Sequence, residues 1–422
     1  MEEIVTGEKK NQVLGADGLR DWVRGGLHEL VIEAGLQVVS DLLEQERNEW
    51  CGSRYERQDS RAAYRAGYAN GEVVLSGRRV AIRRPRARTI DGKEVTLATW
   101  AQATQKDALE GRAFEQVVIG VSTRKYERSL EPILGRKTRG QKKSSVSRHF
   151  IQLSSIKLAE LMTRQLETLS LCALLIDGLH VGEHMVLVAL GIDDRGKKHV
   201  LGIQEGATEN ATATTALLAN LRARGVQTDR PILVAIDGSL ALHKAVKDVF
   251  GDYARIQRCQ EHKKRNVTDY LPKHLQDPIR TRLNAAYNAT NFGWAKHQLE
   301  SLANELQQKY PSAAASIREG LDETLTVLRL RLPESLQKAL CSTNLIESLI
   351  SHIRRISRNV KTWQGGSMAL RWTATSVLEA ERGFRRVDTS ENMRALTLAL
   401  KADWARTQPK KTRVVDLSVS AA

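Results

Sequence analysis

Two acids stand where apolar runs end. Leu171-Cys172-Ala173-Leu174-Leu175-Ile176 leads into Asp177, and Ile232-Leu233-Val234-Ala235-Ile236 leads into Asp237. Short apolar runs of this kind read as buried strands. An acid at the exit of such a strand lies at the rim of a sheet, where sites are commonly built. Two such acids from one sheet can hold a divalent cation between them. The chain carries 65 Lys plus Arg against 49 Asp plus Glu, a formal charge of +16, with a pI of about 9.8. That balance points to chemistry on a nucleic-acid backbone. A ribosome-associated or merely soluble basic protein would show the same balance.

Two-metal phosphoryl transfer needs carboxylates that bridge and flank cations roughly 3.5–4 Å apart. Two acids are too few, and the best third candidate is Glu347 in Ser342-Thr343-Asn344-Leu345-Ile346-Glu347-Ser348. The competing reading makes Asn344 a helix cap and Glu347 the closing member of a capping box. Arg354, seven residues on, lies about 20° off the Glu347 direction on an ideal helix. A carboxylate for metal and a cation for phosphate would then share one face.

Gln257-Arg258-Cys259-Gln260-Glu261-His262 is the second distinctive piece. A lone C-x-x-H is half of a zinc site, but no matching pair exists elsewhere. The pair could instead fix the strand-to-helix turn. The favoured expectation is that Cys259 and His262 support the acids or contact a phosphate.

The elements that must position these residues follow from pattern. Between 170 and 260 the order is strand, strand, strand, helix, strand, helix, strand, with a hairpin around Asp193-Asp194-Arg195-Gly196, where the acids are turn chemistry. Three meandering strands followed by alternating helix and strand is the order of a ribonuclease-H-like fold. In it the first and fourth strands are neighbours, which brings Asp177 and Asp237 together. The expected class is therefore α/β, a mixed-sheet core with an α-helical insertion and N-terminal helical and small β parts that bind DNA. The expected divisions are a helical region over 1–58, a small basic β-rich unit over 59–112 and a helix-turn-helix-like region over 113–168. The core follows over 169–265 and 341–405, split by a helical insertion over 266–340, and a basic tail closes the chain over 406–422.

Within 1–58, Leu27, Leu30, Val31, Ala34, Val38, Leu42 and Leu43 recur at spacings of three and four, giving a packing or dimer surface. Gly67, Gly71, Gly77 and Gly92 punctuate short β-prone pieces carrying Arg83, Arg84 and Arg86. These arginines are either a solvated basic strand or a phosphate-contacting ribbon. Two short capped helices between 115 and 150 fit a helix-turn-helix, with Ser145, Ser147 and Arg148 near the start of the recognition helix. Four scattered cysteines make no disulfide framework. The N-terminal residues are charged, so no signal peptide is visible, and no apolar stretch approaches the roughly 18 residues that span a bilayer. A soluble protein of a reducing compartment is expected.

The motifs resemble those of bacterial insertion-sequence transposases of the Mutator type, which carry a DDE triad. Ile236-Asp237-Gly238-Ser239, Cys259 through His262 with Arg265-Asn266, and Ser342-Thr343-Asn344 through Glu347-Ser348 carry the resemblance. Intervals of 60 residues from Asp177 to Asp237 and 110 from Asp237 to Glu347 fit it. The resemblance covers roughly 60–390. One departure is Gly178-Leu179-His180-Val181-Gly182-Glu183-His184, where family members often carry basic residues.

The resemblance implies that Asp177, Asp237 and Glu347 are catalytic metal ligands, with Cys259, His262 and Arg354 supporting the site or touching phosphate. It implies Mg2+, two ions per site, with Mn2+ as an alternative, since an all-oxygen site suits a hard cation. It implies DNA as partner, both the terminal inverted repeats and the target, no membrane, and at least a homodimer in the bacterial cytoplasm at the nucleoid. The implied reaction is cleavage of transposon ends and their joining to target DNA. A catalytically dead DNA-binding regulator and a ribonuclease-H-like nuclease without strand transfer are the alternatives.

Overall fold

The computed structural model describes residues 16–55, 61–75, 77–104, 106–130, 137–206 and 211–408, with the backbone alone for 16–29 and 106–110. The chain divides into two compact units, residues 1–153 and 154–422.

The first unit starts with α1 (Ala16–Cys51). Ile32, Leu36, Val39 and Leu43 are its packing face against a hairpin of β1 (Ala63–Leu75) and β2 (Arg78–Thr89). The stripe expected as a packing or dimer surface is a different one, and it is largely uncovered in the single chain: Leu30, Val31, Val38 and Leu42 are 64%, 66%, 56% and 46% exposed. Of the described side chains in that stripe, only Leu43 is buried. The hairpin is antiparallel from Leu75 opposite Arg78 to Ala63 opposite Thr89, with an irregularity between Arg65 and Tyr68. Its strands are 13 and 12 residues long rather than short glycine-broken pieces. Gly71 does not break β1: it leaves room for the Trp100 ring, which a Cβ there would meet at 2.3 Å.

Trp100 lies on α2 (Ala98–Ala103), and α3 (Lys106–Val118) follows. β3 (Thr138–Arg139) extends the sheet in the order β1-β2-β3. The expected pair of short helices is not what forms here. Between α3 and β3 the described residues hold a single 3-10 turn, Glu127–Ser129, and residues 131–136 of the expected first helix lie outside the described residues. Tyr126 begins that turn, and its buried hydroxyl donates to Gly77 O at 2.9 Å, pinning the turn to the hairpin tip. The second helix, α4 (Lys143–Thr163), has 21 residues. Its first half packs back on α3 through Phe150 stacked on Phe114 at 5.5 Å. The apolar pattern runs on through Leu158 and Leu161, so nothing stops the helix early.

The second unit is mixed α/β. It holds β4 (Leu171–Val181), β5 (His184–Asp193), β6 (Lys198–Gly206), α5 (Ala211–Ala223), β7 (Ile232–Ile236), α6 (Leu240–Phe250) and β8 (Ala254–Arg258). The sheet order is β6-β5-β4-β7-β8. β4, β5 and β6 pair antiparallel, whereas β4–β7 and β7–β8 are parallel. Both faces are covered, so β4 and β7 read as continuous apolar runs. Leu174 and Ile176 face the core shared with α5 and α6. Ala173 and Leu175 face the opposite core, shared with the C-terminal helices. At the β5–β6 turn, Asp193 Oδ1 accepts from Arg195 N and Lys197 N at 2.9 and 2.8 Å.

After β8 come α7 (Gln260–Asp269), α8 (Lys273–Tyr287), α9 (Phe292–Leu306), α10 (Pro311–Arg318) and two single turns, α11 (Leu321–Thr324) and α12 (Thr326–Arg329). They close around a core of their own that includes Val267, Leu283, Leu299, Ala314 and Leu328. α13 (Glu334–Leu340), α14 (Asn344–Ser357), α15 (Gly366–Arg382) and α16 (Ser390–Thr407) return to the sheet. Among the described residues no helix is long and apolar enough to cross a membrane.

Candidate functional site

The positions of the acids follow from register. β4 and β7 are paired as far as Leu175 opposite Ala235. Two residues further along the chain stand Asp177, still on β4, and Asp237, the first residue past β7. Side chains alternate with period two, so both acids point to the face of Leu175 and Ala235, the side covered by the C-terminal helices. Asp177 is not at a strand end, as the apolar run suggested. β4 continues to Val181, and Asp177 still pairs with Val188 of β5. What ends there is the parallel partner, since β7 stops at Ile236. The rim is therefore local to one side of β4.

Asp177 is 8% exposed and accepts from its neighbour Gly178 N at 2.8 Å. Burial pushes its carboxyl up to about 6; the Gly178 hydrogen bond and His262 oppose this, and Asp237 and Glu347 add to it. Asp237 is half-buried. Its Oδ1 accepts from Ser239 N at 2.9 Å, and Ser239 in turn caps α6 by accepting from Leu242 N.

Glu347 arrives on α14. Ile346, Leu349, Ile350 and Ile353 bury that helix against the sheet core, which leaves Glu347 half-buried beside it. The capping-box alternative does not form. Thr343, not Asn344, occupies the N-cap position and makes no side-chain cap bond. Its single hydroxyl proton has two acceptors in reach, Glu347 Oε1 at 3.2 Å and Cys259 Sγ at 3.3 Å, and serves one at a time. Thr343 was not singled out from sequence, although a hydroxyl four residues before an acid on one helix is a readable signal.

Cys259 and His262 join this cluster. Cys259 N donates to Ile236 O at 2.8 Å, which ties the start of α7 to the end of β7 just before Asp237. Cys259 Sγ caps α7, accepting from His262 N, and also accepts from Thr343 N at 3.3 Å. Burial alone would raise the Cys259 thiol, but hydrogen bonds from His262 and Thr343 outweigh it and hold the thiol below its ordinary value. The thiol hydrogen bond raises His262 to about 9 against the opposing effect of burial, and Cys259, Asp177 and Glu347 contribute further. His262 Nε2 stands 4.0 Å from Glu347 Oε1. One ligand atom from each of Cys259, His262 and Glu347 falls within 4.8 Å of the others.

Arg354 and His180 line a small cavity of about 150 Å³ with Gly182 and Trp363. Gly182, at φ +62°, lies under the Trp363 ring, which a Cβ there would meet at 2.5 Å. This contact ties the β4–β5 turn to the loop after α14, and nothing in the sequence pattern announced it. His184 turns away to pair with Glu205 at 2.9 Å.

The DNA-binding candidates lie in the first unit. Arg83 lies over the Tyr68 ring at 5.0 Å and Arg84 over Trp100 at 4.9 Å. Arg84 and Arg86 both donate to Glu94, at 3.0 Å and at 3.1 and 2.6 Å. Ser145, Ser147 and Arg148 lie in the first two turns of α4; the serines are half-buried and Arg148 is exposed.

The family described as "Transposase, Mutator family" matches residues 18–386. A transposase for insertion sequence element ISRM5 of Rhizobium meliloti (strain 1021) is 27% identical over 386 residues, 89% of this chain and 91% of the relative. A transposase for IS256 in transposon Tn4001 of Staphylococcus aureus is 27% identical over 79% of this chain and 85% of its own length. One for IS6120 of Mycolicibacterium smegmatis is 30% identical over 56% and 72%.

Proposed function

The chain belongs to the Mutator family of transposases, and from that premise we propose that it cleaves the ends of an insertion sequence and joins them to target DNA at Asp177, Asp237 and Glu347. The observation that carries this reading is that β4 and β7 pair side by side just before Asp177 and Asp237, and that the charges of Asp237 and Glu347 reach the buried Asp177 carboxyl and add to the burial that holds it up to about 6. The sheet order and the helical block between β8 and α13 support a ribonuclease-H-like core with an insertion.

The donor set fits divalent metal. One oxygen of each carboxylate is engaged by Gly178 N, Ser239 N or the Thr343 hydroxyl. The other accepts nothing among the described residues. Three oxygen donors suit Mg2+, with Mn2+ able to replace it. Two bound ions would neutralise charge on the phosphate and lower the pKa of an attacking water. The chain's own residues do the rest. Thr343 orients Glu347. His262, protonated at neutral pH by its raised pKa, offers positive charge beside Glu347 for a phosphate oxygen, with Cys259 holding its ring. Arg354 supplies a further cation two helical turns along. Cleavage frees a 3′-hydroxyl, which then attacks a target phosphodiester. Both steps are in-line displacements at phosphorus, so one site serves both.

Ser145, Ser147 and Arg148 read the terminal inverted repeat, and Arg83, Arg84 and Arg86 hold phosphates. The protein acts at the nucleoid in the cytoplasm as at least a homodimer. The exposed α1 stripe of Leu30, Val31, Val38 and Leu42 supports a dimer surface, and Val38→Glu with Leu42→Glu should yield monomers in sedimentation. The central test is joining of labelled end DNA to a plasmid in Mg2+. Asp177→Asn, Asp237→Asn and Glu347→Gln should each abolish cleavage and joining, while gel-shift binding to the end survives. Near-normal joining by any one variant would remove that residue from the site.

A further inference from the structure

A groove of about 660 Å³ opens in the second unit between α14 and the last turn of α15, with Lys198 of β6 at its floor. Its charged lining is mostly basic, with Lys198, His352, Arg355, Arg382 and Arg385 against the single acid Glu379. Most interior arginines and lysines here are matched to acids: Arg258 to Glu319 and Glu323, Arg255 to Asp403, Lys263 to Glu319. In the groove only Arg382 is matched, to Glu379 at 2.8 Å. Arg355 and Arg385 are exposed and make no ion pair among the described residues. Lys198 is half-buried, its ammonium 4.9 Å from the Phe384 ring and facing no carboxylate among the described residues. Burial lowers its pKa. Concave placement of like charges focuses their field on an incoming anion.

We propose that this groove is the track for the sugar–phosphate backbone of target DNA, held without sequence preference by Lys198, His352, Arg355 and Arg385. The proposal rests on the transposase reading above. Its geometry comes from α14. Glu347 and Arg354 form one stripe of that helix. Ser348, His352 and Arg355 lie about 80–140° further round. A strand leaving the acids therefore crosses α14 into the groove. One helix width is about 10 Å, or about three base pairs at 3.4 Å each. Besides apolar side chains, the lining has Lys198, His352, Arg355, Arg382 and Arg385, one serine hydroxyl and one acid, Glu379, which Arg382 neutralises, but no Asn or Gln, the residues that pair with adenine edges. That composition suits a duplex of any sequence better than a fixed inverted repeat.

The test uses the full-length chain carrying Arg355→Ala and Arg385→Ala, with thermal melting to confirm the fold. Two substrates separate the steps: an uncleaved labelled end, and a pre-cleaved labelled end offered to plasmid. End cleavage should stay within about twofold of wild type. Joining should fall about tenfold, and the log–log salt slope of plasmid capture should shrink by about 2. Arg355→Lys with Arg385→Lys should restore most joining, since a phosphate track needs charge. Parallel loss of cleavage and joining would overturn the proposal by assigning the groove to the transposon end, as would unchanged joining. Failure of the wild-type chain to cleave or join ends would instead sink the transposase reading, and this proposal with it.

Discussion

The β1–β2 hairpin of the first unit and the strand ends of the second handle charge in opposite ways. On the hairpin, Arg83, Arg84 and Arg86 lie on a solvent-facing surface, spread over aromatic rings or forked onto Glu94. Water and salt screen them, so they cost little and contribute little to stability. Beside the end of β7, Asp177 is buried and feels the charges of Asp237 and Glu347. Like charges in a dry site oppose folding unless something compensates. The difference teaches where function can be read from energetics. An exposed arginine is compatible with any basic protein, whereas a buried, crowded acid needs a counter-charge that the chain does not fully supply.

The sharpest way to break that contrast is to neutralise the acid in chelator-treated protein. The Asp177 carboxyl stands at about 6 against an ordinary 3.8. A carboxyl raised on folding binds its proton more tightly in the folded state. Its favourable contribution is present below pH ~4 and is lost as pH rises through about 6. Two units correspond to about 3 kcal/mol. Chelator-treated wild-type protein should therefore lose about that much stability relative to Asp177→Asn between pH 4 and 7, measured by urea unfolding. Added Mg2+ should restore it to wild type and not to the variant. Equal pH profiles for the two proteins would mean that Asp177 is not under electrostatic load.

Thr343 gives a smaller effect on the same side of the comparison. Removing its hydroxyl in Thr343→Val takes away the donor shared by Glu347 Oε1 and Cys259 Sγ, while Sγ keeps the backbone donors His262 N and Thr343 N. One net hydrogen bond is worth about 1 kcal/mol, so end cleavage should fall about five- to tenfold. Thr343→Ser should recover it. A valine variant with full activity and a serine variant without would reverse the assignment.

The hairpin side tests as screening predicts. Arg83→Ala with Arg84→Ala should weaken binding several-fold to specific and random DNA alike. The log–log salt slope should drop by about 2, roughly 0.9 for each phosphate lost, with little change in melting temperature. A loss confined to the inverted repeat would make these arginines base readers.

These contrasts also explain what the sequence could and could not reveal. β7 and α6 were legible because burial on both faces makes a strand uniformly apolar and Ser239 caps the next helix. The extent of β4 was not. Leu179 and Val181 are buried and His180 is exposed, a half-covered alternation, because β5 continues beside them while β7 does not. Strand ends depend on partners far away in the chain. The start of α14 lies one residue earlier than the Asn344 cap reading for the same reason: Thr343 takes the N-cap position, tied by its N–H to Cys259 84 residues away. On α1 two apolar stripes share one helix, and only the hairpin that covers Ile32, Leu36 and Leu43 tells them apart.

The smallest expected effect has an unusual sign. Glu94 occupies the guanidinium forks of Arg84 and Arg86, the donors that would hold a phosphate. The hydrogen bond and charge of Arg86 keep the Glu94 carboxyl below its ordinary value despite a small opposing effect of desolvation, so it remains anionic at any working pH. It therefore competes with DNA for the same donors. Glu94→Gln removes that competitor's charge while keeping its shape, and should raise affinity for random DNA about two- to threefold at low salt. The gain should vanish as salt rises, because screening weakens both the intramolecular pair and the phosphate contact. If Glu94 instead holds the arginines in a geometry that DNA requires, the variant will bind more weakly at every salt concentration. The sign of the change in a fluorescence-anisotropy titration decides whether the hairpin is a free electrostatic ribbon or a preorganised one.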